Sequence, residues 1–180
     1  MAILTIKEIF DLIIMTLALG YIFSGYIPQP KTAYRILRPS FNFQALKYSM
    51  LIAAPAVVFH ELAHKFTAIA FGIPATFKMF PFGLLLGIVL KLLNSPFLII
   101  APGYVSLPST INSTITRITA LAGPLTNLLI FIIAFIVLKK AKLSNKAFIL
   151  WSLTKQINLI LFIFNMLPIS PLDGSKVFFG

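Results

Sequence analysis

The sequence predicts an all-α polytopic membrane protein, a bundle of transmembrane helices with a small re-entrant or β-hairpin element between the second and third core helices. Three observations predict this fold class. The 180-residue chain is 59% hydrophobic and only 11% charged, and its mean hydropathy of +0.98 lies far above that of soluble domains. The apolar residues form runs near the roughly 20 residues that a helix needs to cross a bilayer. One central stretch is instead broken by proline and glycine.

The charge and the cysteine content limit which partners the chain can bind and which side chains can hold a metal ion. The net charge is +11, but the basic residues stand mostly at the edges of apolar runs, where lipid headgroups attract them. The predicted partner is therefore the lipid bilayer, and no nucleic acid or nucleotide is expected. The chain has no cysteine, so any metal must be held by histidine and carboxylate.

Four apolar runs are predicted to be transmembrane helices: residues 9–27, 48–71, 118–138 and 147–167. Residues 1–180 are predicted to form a single membrane-embedded domain of a multi-pass protein, expected in the cell membrane. At the start of the first run, Lys7 and Asp11 have i,i+4 spacing, which favours an ion pair on the helix surface.

The segments between these apolar runs are predicted to be irregular. Residues 28–47 contain three prolines and four cations, which predict a loop anchored at the membrane interface. In residues 76–113 no apolar piece reaches spanning length, and irregular backbone survives at membrane depth only where protein or a wet cavity covers it. This region is predicted to be the re-entrant or strand element. Residues 177–179 are interpreted as the first turn of a further, truncated helix.

The strongest chemical signal is His60-Glu61-Leu62-Ala63-His64, within the second predicted helix. The imidazoles at i and i+4 share one helix face and can bind one zinc ion, and H-E-x-x-H is the metalloprotease pattern. These are the only two histidines, and the chain has only four acidic residues. Ionisable groups in an apolar segment are costly, so they indicate function more strongly than structural polarity.

A catalytic zinc site has three protein ligands and an open position for water. With both histidines used, the third ligand must be a carboxylate, and the candidates are Glu8, Asp11 and Asp173. Asp173 is favoured because it follows a polar, proline-broken helix that can aim it into the bundle. The alternative for Asp173 is a turn or N-cap aspartate before Gly174.

The predicted chemistry follows from these parts. One zinc ion per chain, held by His60, His64 and Asp173, activates water and polarises a peptide carbonyl. Glu61 takes the proton of that water and passes it to the leaving amine. Asn165 is a candidate donor to the substrate backbone or the developing oxyanion, and interhelical hydrogen bonding is its alternative role.

Three motifs together resemble the site-2 proteases, a family of intramembrane zinc metalloproteases, in their short prokaryotic or archaeal form. The motifs, in chain order, are His60-Glu61-Leu62-Ala63-His64, Ala122-Gly123-Pro124-Leu125-Thr126-Asn127 and Asn165-Met166-Leu167-Pro168-Ile169-Ser170-Pro171-Leu172-Asp173-Gly174. The resemblance implies zinc ligation by the two histidines and Asp173, a base role for Glu61, and substrate contact by Asn165. It also implies hydrolysis within or near the transmembrane segments of protein substrates.

The resemblance extends to the region of Gly103, Tyr104 and Val105, which is similar to the family's membrane-embedded strands. Such a strand can hold an unwound substrate as an added strand. Two alternatives remain at this point: a membrane-bound metalloprotease that cuts soluble or surface peptides, and a catalytically silent membrane scaffold of the same fold. A metal transporter would need ligands distributed along a path, whereas this chain has one cluster.

Overall fold

The fold is described by a computed structural model for residues 3–26, 43–95, 102–108 and 112–180. This part of the chain forms six α-helices and two β-strands. In order they are α1 (Ile6–Phe23), α2 (Phe43–Ala70), β1 (Thr76–Met79), α3 (Pro81–Leu92), β2 (Gly103–Ser106), α4 (Ser113–Lys140), α5 (Asn145–Asn165) and α6 (Asp173–Phe179). A short 3-10 turn, Ser24–Tyr26, continues α1.

Helices α2, α4 and α5 are long and apolar enough to cross a membrane. On α4, large apolar side chains such as Leu129, Ile133 and Ile136 are exposed, as expected where helices face lipid chains. These helices, with a two-stranded element between α2 and α4, confirm the predicted all-α polytopic fold. The protein is a multi-pass membrane protein, and the lipid bilayer is its surroundings.

The helix boundaries differ modestly from the predicted spans. Helix α2 begins at Phe43, so Lys47 lies in a helix and its assignment to a loop was wrong; residues 28–42 of that loop lie outside the described residues. Helix α1 has 18 residues but carries charges at positions 7, 8 and 11. Its assignment as a membrane span therefore stays a prediction.

The predicted re-entrant or strand element is an antiparallel pair of strands with α3 inserted between them. Thr76 of β1 pairs with Ser106 of β2, and the register runs on to Met79 and Gly103. A Cβ atom on Gly103 would lie 2.7 Å from the Phe77 ring, so only glycine fits beside that buried aromatic. The second apolar piece of this region, residues 97–100, lies outside the described residues.

The first turn of α1 is tied to the strands by its acidic side chains. Glu8 is buried, pairs with the Lys65 ammonium of α2, and accepts a 2.7 Å hydrogen bond from the Phe77 backbone N–H of β1. Asp11 accepts a longer one, 3.4 Å, from the Met79 N–H. Among the described residues no ion pair joins Lys7 to Asp11, so the predicted surface pair was wrong.

Candidate metal centre

Both histidines of the H-E-x-x-H motif lie on the buried face of α2. The rings of His60 and His64 stand edge to face, with centroids 4.7 Å apart and an interplanar angle of 86°. Their Nε2 atoms are 3.1 Å apart. His60 stands ten residues before the end of α2 at Ala70, about 15 Å along the axis at 1.5 Å per residue. His64 stands six residues, about 9 Å, from the same end, so the pair lies inside a helix long enough to cross the bilayer.

Asp173 reaches the same point from far along the chain. It is the first residue of α6, one position after the N-cap Leu172, so it does not serve as the cap. Its Oδ2 lies 3.0 Å from His60 Nε2 and 3.2 Å from His64 Nε2.

The outer nitrogen of each imidazole is already engaged. His64 Nδ1 lies 2.7 Å from the Thr119 backbone carbonyl, which only accepts, so Nδ1 carries the proton. His60 Nδ1 lies 2.6 Å from Asn127 Oδ1 and donates in the same way. Both Nε2 atoms therefore direct lone pairs toward Asp173, an arrangement that is repulsive unless a cation or a proton lies among them.

The donor set fits zinc. Zinc bonds to nitrogen and oxygen are about 2.0–2.2 Å long, so neighbouring ligand atoms of a tetrahedral site lie ~3.3–3.6 Å apart. The three donor atoms are separated by 3.0, 3.1 and 3.2 Å, within a few tenths of an ångström. Among the described residues, this is the one group of three histidine or acidic side chains able to hold a metal ion. The predicted cofactor is a single zinc ion, and both this fit and the similar proteins named at the end of this section confirm it.

Helix α4 comes unusually close to the imidazoles at Gly123. A Cβ atom there would lie 2.7 Å from His60 Nε2 and even nearer the His64 ring. Real Cβ atoms essentially never approach this closely. Gly123 is the glycine of the second motif, and the structure gives it a physical reason: only a residue without a side chain lets α4 close this side of the centre.

The other predicted site residues fall into two groups. Glu61 is buried beside His60, 7% exposed, and within the described residues its carboxylate has no hydrogen-bond partner. Asn165 is the last residue of α5, half-buried, and its side chain likewise has no partner there; the interhelical bond considered for it is not formed. Gly103, Tyr104 and Val105 belong to β2. Their roles stay predictions.

Three residues near the centre carried no predicted role. Thr119, Asn127 and Asn158 are all buried, and the first two contact the imidazoles directly. An asparagine inside an otherwise apolar span is costly and is a signal in its own right. The sequence offers no comparable signal for Thr119, because it contacts His64 through its backbone carbonyl.

A multi-pass bundle with H-E-x-x-H histidines and a distant aspartate meeting inside it defines a membrane metalloprotease. No family model matches the chain. It is 34% identical over 172 residues to "Putative zinc metalloprotease MJ0611" of Methanocaldococcus jannaschii, covering 95% of this chain and 83% of that protein. It is 30% identical over 152 residues to "Putative zinc metalloprotease YwhC" of Bacillus subtilis, covering 73% and 68%. The chain therefore belongs to the short archaeal and bacterial site-2 protease-like family of zinc metalloproteases.

Proposed function

We propose that this zinc metalloprotease hydrolyses peptide bonds within or near the transmembrane segments of other membrane proteins, the reaction of regulated intramembrane proteolysis. One observation carries the proposal: the donor cluster lies on the buried face of a membrane-spanning helix, with His60 about 15 Å and His64 about 9 Å from that helix's end at 1.5 Å per residue. A peptide bond must come into the bundle to reach it. Residues 1–180 act in this proposal as a single membrane-embedded domain.

In the proposed site His60, His64 and Asp173 are the zinc ligands. When bound, zinc supplies Lewis-acid chemistry that activates water and polarises a carbonyl. Glu61 acts as general base because it follows a ligand directly, is buried, and has no competing partner within the described residues. It then returns the proton to the leaving amine. Asn165, also unpartnered there, donates to the substrate backbone or the oxyanion.

The strand pair supports a specific substrate edge. In an antiparallel pair, alternate residues direct their N–H and C=O groups toward and away from the partner strand. Phe77 and Met79 donate to acidic side chains of α1 rather than to β2, so the outer edge of β1 is occupied. Their partners in the register are Val105 and Gly103, whose polar backbone groups must therefore face the outer edge of β2.

That outer edge of β2 is where we place the substrate. Within the described residues, the backbone groups of Gly103 and Val105 have no partner on that side. An added strand would hold the substrate extended, which a protease requires because a helical peptide bond is sheltered by its own hydrogen bonds. Tyr104 directs its backbone toward β1, so its contribution comes from its side chain, which is 49% exposed.

The substrate class is tested by direct comparison. Purified protein is given a single-span membrane substrate and an unstructured soluble peptide that contains the same cleavage sequence. We expect the membrane substrate to be cleaved faster in lipid nanodiscs, because its transmembrane segment lies in the same bilayer as the buried site of the protease. Faster cleavage of the soluble peptide would favour a metalloprotease acting on soluble or surface peptides. Zinc-loaded protein that cleaves neither would favour the silent scaffold.

The edge assignment predicts a selective defect for Val105→Pro. Proline removes the outward N–H of β2 while leaving the inner ladder bonds intact, since Val105 faces Phe77 in a pair without backbone hydrogen bonds. One lost hydrogen bond should lower kcat/KM by about 2- to 10-fold, with zinc content unchanged. Val105→Ala is the control, because it keeps the N–H. Equal kcat/KM values for the two variants would show that the substrate does not pair with this edge of β2.

A further inference from the structure

Asn127 occupies the centre of a buried polar network that no catalytic role accounts for. Its side chain is fully buried on α4. Its Oδ1 lies 2.6 Å from His60 Nδ1, and its Nδ2 donates to the Ala56 backbone carbonyl and to Asn158 Oδ1, both at 2.9 Å. Three helices, α2, α4 and α5, thus meet at one amide.

The network can be satisfied in only one orientation. The Ala56 carbonyl accepts and cannot donate, so it must face the amide nitrogen of Asn127. Asn158 Nδ2 donates to the Thr154 carbonyl at 2.8 Å, which turns Asn158 Oδ1 toward Asn127. The remaining atom of Asn127, its Oδ1, must then accept from His60 Nδ1. Two backbone carbonyls therefore determine which nitrogen of His60 carries the proton.

We infer that Asn127, held by Asn158, is the positioning residue that keeps His60 Nε2 unprotonated and aimed at the zinc. This rests on the proposed role of His60 as a zinc ligand. Partners of this kind fix the ring orientation of metal-bound histidines, and losing one typically costs about 10–100-fold in metal affinity. A purely structural asparagine would stabilise the bundle without changing the metal affinity of the folded protein.

The two ligand histidines are held differently, and this gives an internal control. His64 Nδ1 donates to the backbone carbonyl of Thr119, which no side-chain substitution removes. His60 depends on the Asn127 side chain. Because these are the only two histidines of the chain, the imidazole signals of the labelled protein belong to these two rings alone.

The test measures zinc affinity by chelator competition on the purified full chain in detergent. We expect Asn127→Leu to raise the zinc Kd about 10–100-fold, while Asn127→Asp, which keeps an acceptor for His60 but loses both Nδ2 donor bonds, should raise it by less than Asn127→Leu. Asn158→Leu is expected to raise Kd by less, because the Ala56 carbonyl still holds Asn127. Thr126→Val is the matched control, since in the part of the chain that the structure describes its hydroxyl donates only to the Ala122 carbonyl of its own helix.

Imidazole NMR separates positioning from stability. In the zinc-bound protein the Nδ1–H proton of His60 should exchange with solvent faster in Asn127→Leu, while that of His64 is unchanged. An Asn127→Leu variant with wild-type Kd and a protected His60 proton would overturn the inference. Failure of the wild-type chain to bind zinc, or binding unaffected by His60→Ala, would instead overturn the proposed ligand set.

Discussion

Replacing Glu61 with glutamine is expected to abolish cleavage while leaving zinc in place. Glutamine has nearly the same shape but cannot accept the proton of a water, and general acid–base catalysis contributes about 10²–10⁴-fold. Within the described residues Glu61 has no hydrogen bond to the ligands or to any other group, so the donor cluster has no structural reason to change. Metal analysis after dialysis, together with a cleavage assay on a single-span substrate, checks both halves of the expectation.

Asp173→Asn is the contrasting variant for Glu61→Gln. It replaces an anionic donor that lies 3.0 and 3.2 Å from the two Nε2 atoms, so we expect zinc retention and activity to fall together. Zinc-loaded Glu61→Gln that cleaves at the wild-type rate would remove the base assignment. Full zinc content in Asp173→Asn would count equally against its assignment as a ligand.

The sequence predicted the donor cluster because its signals are local or scarce. The four-residue spacing of His60 and His64 places both on one helix face wherever the helix lies. Asp173 could be chosen without knowing the fold because the chain has only four acidic residues, and the structure brings its carboxylate to the histidines. The ligand roles themselves remain predictions.

What the sequence could not show are the long-range partners. The i,i+4 spacing of Lys7 and Asp11 predicted an ion pair on the helix surface. Instead, Asp11 accepts a hydrogen bond from the Met79 N–H, and Glu8 is buried in an ion pair with Lys65. Side-chain spacing reports on neighbours within one helix, whereas burial and the unpaired N–H groups of a strand edge determine where a carboxylate is most stabilised. The contact of Asn127 with His60 could not be predicted for the same reason.

Gly123→Ala is expected to have an effect as large as losing a ligand. The added methyl would lie 2.7 Å from His60 Nε2 and closer still to the His64 ring. Neither imidazole can turn aside freely, because their Nδ1 atoms are held by Asn127 and Thr119. Either the rings leave these bonds or α4 moves away from α2, and both displace the zinc donors.

We therefore expect Gly123→Ala to retain zinc as poorly as Asp173→Asn and to lose about 100-fold or more in cleavage rate, the typical consequence of a 1 Å misplacement. Overpacking should also lower the free energy of unfolding by about 1–3 kcal/mol. Gly25→Ala is the matched control, because within the described residues a Cβ there meets nothing nearer than Lys91 Cε at 3.8 Å. A Gly123→Ala protein with wild-type zinc content and activity would show that α4 does not close the centre here. In that case the second motif would need a different explanation from the steric one.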